Sequence, residues 1–212
     1  MREFRGLYMF LVIDGMDGAG KSTLVDMVSQ YLQEDLQIKS ICLDHFPKRT
    51  HTVQAFLSNE PGVSPLEFEM ESFMQKYHYS FVIDSFAKCR DNALLVDRWI
   101  PSGVVYGIYN FMSKLNRDKN GAEAFFEKLN SIVSPPDFGW VLVCNPEISA
   151  RRLDGRPIKE VYEDFRSLRT VHDLFYEFCH RHHDYKLIDT TDLTPQQTFE
   201  EVKSDLNNLF KL

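Results

Sequence analysis

Short, continuous apolar runs alternate along the chain with longer segments in which apolar residues recur every three or four positions. The runs cover residues 7–13, 38–43, 93–96, 140–144 and 185–188. Continuous apolarity is typical of strands that are buried on both faces, as in parallel sheets. The longer segments predict helices, over 23–34, 66–88, 102–114, 122–132, 159–181 and 195–212. This alternation predicts one α/β domain over residues 1–212, with a five-stranded parallel sheet between two layers of helices.

The segment that follows the first apolar run carries a phosphate-binding motif. Gly15 to Ser22 fits the pattern G-x-x-x-x-G-K-[ST], between a predicted strand and a predicted helix. Backbone N–H groups of such a loop point at phosphates, and the helix N-terminus adds partial positive charge. Lys21 is expected to reach the β- and γ-phosphates, and Ser22 to bind Mg²⁺. The expected ATP-binding residues of this segment are Gly15, Met16, Asp17, Gly18, Ala19, Gly20, Lys21, Ser22 and Thr23.

A second motif follows the run 93–96, where Asp97 is followed by Arg98 and Trp99. Open α/β sheets bind ligands at the carboxyl ends of their strands. Asp97 is therefore expected to bind Mg²⁺ through water, and Arg98 to bind the phosphate of an acceptor.

A basic stretch follows the fourth apolar run and contains Arg151, Arg152, Arg156 and Lys159. Gly155 and Pro157 interrupt the stretch, which predicts a loop rather than a helix. An arginine-bearing lid at about 150–160 is what phosphoryl transfer requires, because negative charge develops on the transferred group and water must be excluded.

Composition and charge narrow the classes of partner. With 43% hydrophobic residues the chain can bury a core, and no apolar run approaches the roughly 20 residues of a membrane helix. The net charge of −7 disfavours duplex nucleic acid as a ligand, which requires a basic face. We expect small-molecule nucleotides as partners, and neither nucleic acid nor a membrane.

Three segments together resemble the thymidylate kinase family of nucleoside monophosphate kinases. They are LVIDGMDGAGKST at 11–23, HFPKRT at 45–50, and Asp97-Arg98-Trp99 followed by Ser102 and Tyr106. The resemblance covers nearly the whole chain. It implies the three-layer P-loop kinase fold, ATP and Mg²⁺ as cofactors, a homodimer and a cytoplasmic location.

The resemblance also implies roles for individual residues. Asp17 would contact the 3′-hydroxyl of the deoxyribose, Ser102 would approach the base edge, and Tyr106 would disfavour a 2′-hydroxyl. Phe73 would stack on the pyrimidine. The segment with Phe46, Pro47 and Arg49 would join Arg98 at the 5′-phosphate. Arg152 and Asp189 would lie at the adenine of ATP.

One departure from the family leaves the preferred base open. The family commonly places an arginine four residues after the stacking aromatic, and this chain has Tyr77 there. Lys76 is adjacent to it but is expected to point about 100° away, the rotation of one helical residue. The acceptor alternatives to dTMP are therefore dUMP, a 5-modified dUMP and dCMP.

The expected reaction is dTMP + ATP to dTDP + ADP, with Lys21, Arg98, Arg152 and Arg156 stabilising the transferred phosphoryl group. An acceptor phosphate oxygen is already ionised near neutral pH, so no general base is expected. A deoxynucleoside kinase, which must deprotonate a sugar hydroxyl, is one alternative. A nucleotide-binding regulatory protein is another.

Overall fold

The computed structural model describes residues 8–44, 50–86, 92–156 and 160–210. In that part of the chain, five parallel strands form one sheet in the order β2-β3-β1-β4-β5. The strands are β1 (Tyr8–Gly15), β2 (Lys39–Asp44), β3 (Asn92–Asp97), β4 (Phe138–Val143) and β5 (Tyr185–Asp189). The predicted five-stranded parallel sheet is confirmed.

Eight helices are present in the described residues. They are α1 (Lys21–Glu34), α2 (His51–Leu57), α3 (Pro65–Phe86), α4 (Ile100–Ser113), α5 (Lys119–Asn130), α6 (Pro146–Leu153), α7 (Phe165–Arg181) and α8 (Pro195–Leu209). Helix α1 packs against α8, whereas α4 packs against α3, α5 and α7. This arrangement is the α/β fold of P-loop kinases.

The centre of the sheet is apolar because strand β1 lies between β3 and β4 and is covered on both faces. Leu11, Val12 and Ile13 are fully buried there. The ring of Phe10 makes an edge contact with Trp99, with ring centroids 5.7 Å apart. This burial explains why the strands appear in the sequence as continuous apolar runs rather than as alternating ones.

Local capping chemistry sets the helix ends, agrees with one predicted boundary and corrects another. Thr194 and Gln197 form a capping box at the start of α8, as the sequence indicates. Helix α7 begins at Phe165 rather than at residue 159, because the Asp164 side chain accepts a hydrogen bond from the Ser167 N–H and caps the helix.

The basic stretch begins on a helix, so the prediction of a loop there was wrong in part. Asn145 caps α6 by accepting from the Glu147 N–H, and Pro146 occupies the first turn. Arg151 and Arg152 therefore lie in the last helical turn. The short helix α2, which Thr50 caps, was not predicted either, because seven residues give too little periodicity to recognise.

The carboxyl ends of the parallel strands meet at one edge of the sheet. Gly15 ends β1 and Asp97 ends β3 there, and these strands are direct neighbours in the sheet. The phosphate-binding loop and the Asp97-Arg98 motif are thus brought together by the fold. None of the helices in the described ranges is both long and apolar enough to cross a membrane.

Candidate active site

A cavity of about 610 Å³ opens at this edge of the sheet. Its wall includes the phosphate-binding loop and the start of α1, the end of β3, one face of α3 and the start of α4. Arg156, Glu160 and Tyr162, from the segment that precedes α7, also line it. Five of the predicted site residues that share this cavity are Asp17, Lys21, Ser22, Arg98 and Tyr106.

The backbone of the phosphate-binding loop requires glycine. Gly20 lies immediately before α1 with a φ of 93°, in the left-handed region that side chains disfavour. A Cβ at Gly20 would meet nothing within 4 Å, so the space beside this backbone is open. No side chain caps α1. Phosphate oxygens can accept hydrogen bonds from the N–H groups at a helix start of this kind.

Lys21 is buried at the base of the loop. Its Nζ donates to the Met16 carbonyl at 2.7 Å and lies 3.8 Å from Asp17 Oδ1. Burial, together with the nearby Arg98 guanidinium, lowers the pKa of Lys21 to about 8, although Asp17 acts in the opposite direction. The side chain is therefore still mainly charged at neutral pH.

Asp17, Arg98 and Tyr106 form a buried polar cluster beside Lys21. An Arg98 Nη atom donates to Asp17, and Tyr106 Oη donates to the other carboxylate oxygen at 3.0 Å. Burial alone would raise the pKa of Asp17, but the charges of Arg98 and Lys21 outweigh it and lower that pKa to about 2. Arg98 is held in place by a second hydrogen bond, to the Gly15 carbonyl at 3.1 Å.

The backbone of Arg98 is strained. Its φ is 67°, which is uncommon for a residue other than glycine. Its N–H nevertheless donates to the Ile13 carbonyl at 2.9 Å, which ties the turn after β3 to the end of β1. Strain of this kind concentrates at functional sites, where the surrounding structure holds the residue in place.

The buried carboxylate of Asp14 connects the phosphate-binding loop to α4. It accepts hydrogen bonds from the N–H groups of Gly15 at 2.6 Å, Trp99 at 2.7 Å and Ser102 at 3.0 Å. The Ser102 hydroxyl also donates to it. Ser102 lines the cavity with its hydroxyl directed at Asp14, and its predicted approach to the base edge stays a prediction. The sequence identifies Asp14 only as an acid at a strand end, so its anchoring role was missed.

Arg152 connects the phosphate-binding loop to the loop after β5. Its guanidinium donates to the Gly18 carbonyl at 3.2 Å and to the Thr190 carbonyl at 3.0 Å. Asp189 lies beside this contact and accepts from the Thr191 N–H at 2.9 Å. The two residues predicted to lie at adenine are therefore close together, next to the phosphate-binding loop.

Arg156 and the predicted Mg²⁺ ligands border the main cavity. Arg156 Nη1 forms a 2.9 Å ion pair with the buried Glu163 carboxylate, which orients the arginine. Ser22 and Asp97 present a hydroxyl and a carboxylate at the wall of the same cavity. Oxygen donors of this type are the ligands that Mg²⁺ prefers.

Helix α3 presents a different face to the cavity from the one the sequence indicated. Phe68, Glu69, Ser72 and Lys76 line the wall, whereas Phe73 and Tyr77 are not among the described residues that do. The rings of Phe73 and Tyr77 stack on each other instead, with centroids 6.1 Å apart. We assigned Lys76 no role from the sequence, because we inferred its orientation relative to Tyr77. Tyr77 is not among the described residues that line the cavity, whereas Lys76 is.

The sequence of α3 carries no signal that singles out this face. Glu69, Ser72 and Lys76 share one side of the helix through their spacings of three and four residues, but Glu67 and Glu71 place charged residues on its other sides as well. Phe46, Pro47, Arg49 and the lid residues 157–159 lie outside the described residues. Their predicted roles stay predictions.

Comparison with known proteins agrees with this geometry. The family model of thymidylate kinase matches residues 13–202. The chain belongs to the thymidylate kinase family. It is therefore a nucleotide kinase, an enzyme that acts on nucleoside monophosphates.

The relatives are distant in sequence but similar in length. A probable thymidylate kinase of Methanocaldococcus jannaschii is 22% identical over 204 residues, which cover 95% of this chain and 97% of that one. The thymidylate kinase of Mesoplasma florum is 26% identical over 212 residues, with 92% and 93% covered. The structure of thymidylate kinase from Candida albicans superimposes with a TM-score of 0.74 at 19% identity, covering 96% of this chain and 92% of that one.

Proposed function

We propose that this protein transfers the γ-phosphoryl group of ATP to a deoxypyrimidine 5′-monophosphate, with dTMP as the preferred acceptor. The observation that carries the proposal is the shared cavity, in which the phosphate-binding loop and Arg98 lie on the wall of one space. A donor bound at the loop and an acceptor bound at Arg98 would therefore meet. Membership of the family supports the choice of thymidylate.

In the proposed reaction, an oxygen of the acceptor phosphate attacks the γ-phosphorus of ATP. The bond from that phosphorus to the β–γ bridging oxygen breaks, and ADP leaves. Lys21 and Arg98 neutralise charge on the phosphates, and Arg156 at the cavity wall adds a third positive group. Mg²⁺, which Ser22 and water bound to Asp97 would hold, supplies further charge neutralisation. The residues thus act by positioning and electrostatics.

The Asp17 cluster is proposed to hold the sugar of the acceptor. The ionised Asp17 carboxylate can accept a hydrogen bond from the 3′-hydroxyl, and Tyr106 donates to that same carboxylate. Arg152 and Asp189, which lie next to each other beside the phosphate-binding loop, are proposed to flank the adenine of ATP.

Two buried carboxylates of the site, Asp14 and Asp17, are poor candidates for the base of a deoxynucleoside kinase. Such an enzyme needs a carboxylate free to take a proton from a sugar hydroxyl. Asp14 already accepts four hydrogen bonds, and Asp17 is paired with Arg98. This arrangement supports phosphorylation of a monophosphate, whose attacking oxygen carries its own charge.

The proposal is tested by ADP release in the presence of ATP and Mg²⁺ with thymidine or dTMP as acceptor. We expect ADP only with dTMP, and we expect Lys21→Ala or Arg98→Ala to lower kcat by at least ~100-fold, the scale of losing one transition-state charge partner. Glu71→Ala, on α3 but outside the cavity lining, is the matched control. Turnover of thymidine in preference to dTMP, or near wild-type rates from both variants, would refute the assignment.

We further propose a homodimer that forms through α3. Five large apolar side chains on this helix are exposed, namely Leu66, Met70, Met74, Tyr77 and Phe81. Each is separated from the next by three or four residues, so they form one stripe along the helix. An exposed apolar stripe of this length is typical of a protein–protein interface.

A further inference from the structure

Three polar side chains of α3 line the cavity in a row. Glu69, Ser72 and Lys76 are 5%, 6% and 2% exposed, respectively. Their spacing of three and four residues places them on one side of the helix. Buried polar groups normally have hydrogen-bond partners within the protein, so each member of the row can be examined for the partner it has.

The Lys76 ammonium group is buried without a partner among the described residues. Its Nζ makes no hydrogen bond and no ion pair there, although the side chain is 98% covered. Gly103 provides the space for this ammonium group, because a Cβ there would collide with Lys76 Nζ and with the Asn130 amide. Burial lowers the pKa of Lys76 to about 8. A buried ammonium without an acceptor is costly, which points to an acceptor on the ligand.

Glu69 is held in position by an amide of the neighbouring helix α4. Its Oε1 accepts a 2.6 Å hydrogen bond from Asn110 Nδ2, and the same amide nitrogen donates to Tyr162 Oη at 2.7 Å. Asn110 therefore fixes the carboxylate against α4 while the side chain still lines the cavity. The Ser72 hydroxyl, which lies between Glu69 and Lys76 in the row, is buried and has no hydrogen-bond partner in the part of the chain that the structure describes.

We propose that Glu69 and Lys76 determine base specificity by binding the edge of the acceptor base, Glu69 accepting from a ring N–H and Lys76 donating to the neighbouring carbonyl oxygen. Thymine and uracil carry this pair of groups side by side. A phosphate offers only acceptors to this row, whereas a neutral ligand with one donor and one acceptor complements both Glu69 and Lys76. This inference rests on the proposed function, because it assumes that the acceptor is a nucleotide.

The test uses acceptors that lack one group of the edge. We expect wild-type kcat/KM to fall at least ~100-fold from dTMP to N3-methyl-dTMP, which has no ring N–H, since a site built around a hydrogen bond rejects a ligand that cannot form it. The same loss is expected for the 3,4-dihydropyrimidin-2-one analogue, which has two hydrogens in place of the 4-oxygen and keeps the ring N–H. Glu69→Ala should reduce the kcat/KM loss between dTMP and N3-methyl-dTMP to under ~10-fold, because it removes the carboxylate that this analogue leaves unpaired. Lys76→Met should reduce the loss for the analogue without the 4-oxygen to the same extent, because it removes the ammonium group that this second analogue leaves unpaired.

Each variant should leave the other discrimination in place, and Glu71→Ala should change neither. Glu69→Gln keeps the shape of the side chain, and its kcat/KM loss between dTMP and N3-methyl-dTMP should lie between the losses of wild type and Glu69→Ala. This variant replaces Glu69→Ala in the test if the alanine variant does not fold. If the wild type phosphorylates dTMP and the variants retain both discriminations within twofold, the inference is overturned. If the wild type phosphorylates no deoxypyrimidine monophosphate, the proposed function itself fails.

Discussion

Asp17 and Glu69 are two buried carboxylates whose surroundings shift their pKa values in opposite directions. Arg98 and Lys21 overcome the effect of burial at Asp17 and lower its pKa to about 2. At Glu69 burial dominates over the Asn110 hydrogen bond and the Lys76 charge, and it raises the pKa to about 7. A carboxylate with cationic side chains beside it, such as Asp17, therefore stays ionised at neutral pH. A carboxylate whose pKa is set mainly by burial, such as Glu69, titrates near neutral pH.

The raised pKa of Glu69 makes folding stability depend on pH. Both the folded and the unfolded chain hold the Glu69 proton below pH 4.5, but between 4.5 and about 7 only the folded chain does. Raising the pH through this window therefore lowers the free energy of unfolding, by an amount on the order of 2 kcal/mol. Glu69→Gln has no proton to lose and should escape this decrease.

Urea unfolding at pH 4.5 and at pH 7 measures the effect as the difference between wild type and Glu69→Gln. Glu71→Gln, at a half-buried position of the same helix, is the control and should follow the wild type. Parallel pH dependences for wild type and Glu69→Gln would show that Glu69 ionises as easily in the folded protein as in the unfolded chain.

The element that forms the proposed donor site is the turn from β1 into α1, in which Gly20 takes a left-handed conformation. That conformation aims the start of α1 at the cavity, and the same φ would strain any other residue. Gly62 has a comparable φ of 102° in the turn before α3, and a Cβ there would also meet no atom within 4 Å. The two glycines differ in that Gly20 lines the cavity and Gly62 does not.

Alanine at each glycine separates backbone strain from ligand binding. Gly20→Ala and Gly62→Ala should each lower the free energy of unfolding by about 1–2 kcal/mol, the cost of a left-handed conformation for a side chain with a Cβ. Only Gly20→Ala should also weaken ATP binding, by at least ~10-fold, because its methyl group enters the space proposed for the phosphates. Isothermal titration calorimetry with ATP and Mg²⁺ measures the difference. Equal ATP affinities for the two variants would contradict the placement of the phosphates.

At the scale of the whole molecule, the sheet order brings distant segments to one edge and leaves one side of α3 exposed. Strand β1 lies between β3 and β4, so the loops after residues 15, 97 and 143 converge. The cavity occupies one side of α3, while Met74 and Phe81 on the same helix are 55% and 58% exposed. The proposed acceptor site and the proposed homodimer interface thus lie on different sides of this helix.

Charge on the exposed stripe should prevent the proposed homodimer. Met74→Glu combined with Phe81→Glu should shift the protein from dimer to monomer, since a carboxylate cannot be buried in an apolar interface without a partner. Ile132→Glu is the control, because Ile132 is equally exposed, at 55%, but lies after α5. Sedimentation velocity measures the change. A wild type that sediments as a monomer at micromolar concentration would contradict the homodimer.

The sequence by itself determined the fold class and the phosphate-binding loop. Both are local properties: a strand buried on two faces needs a continuous apolar run, and the loop needs glycines, Lys21 and Ser22 at fixed spacings within eight residues. The pairing of Asp97 and Arg98 with that loop was also predicted, because both motifs follow strands and parallel strands end at one edge. Helix α6 was not predicted, because Gly155 and Pro157 nearby indicated a loop. The Asn145 cap nevertheless allows a short helix to form before them.

Only the tertiary structure decided which face of α3 lines the cavity. Apolar residues surround that helix on several sides, so its sequence alone does not distinguish the wall of the cavity from the exposed stripe, and the rotation of α3 is set by its packing on α2 and α4. The same holds for Asp14 and Glu69, whose partners lie 88 and 41 residues away in the chain. Contacts over such separations are created by the fold, and the chemistry of a buried charge depends on them.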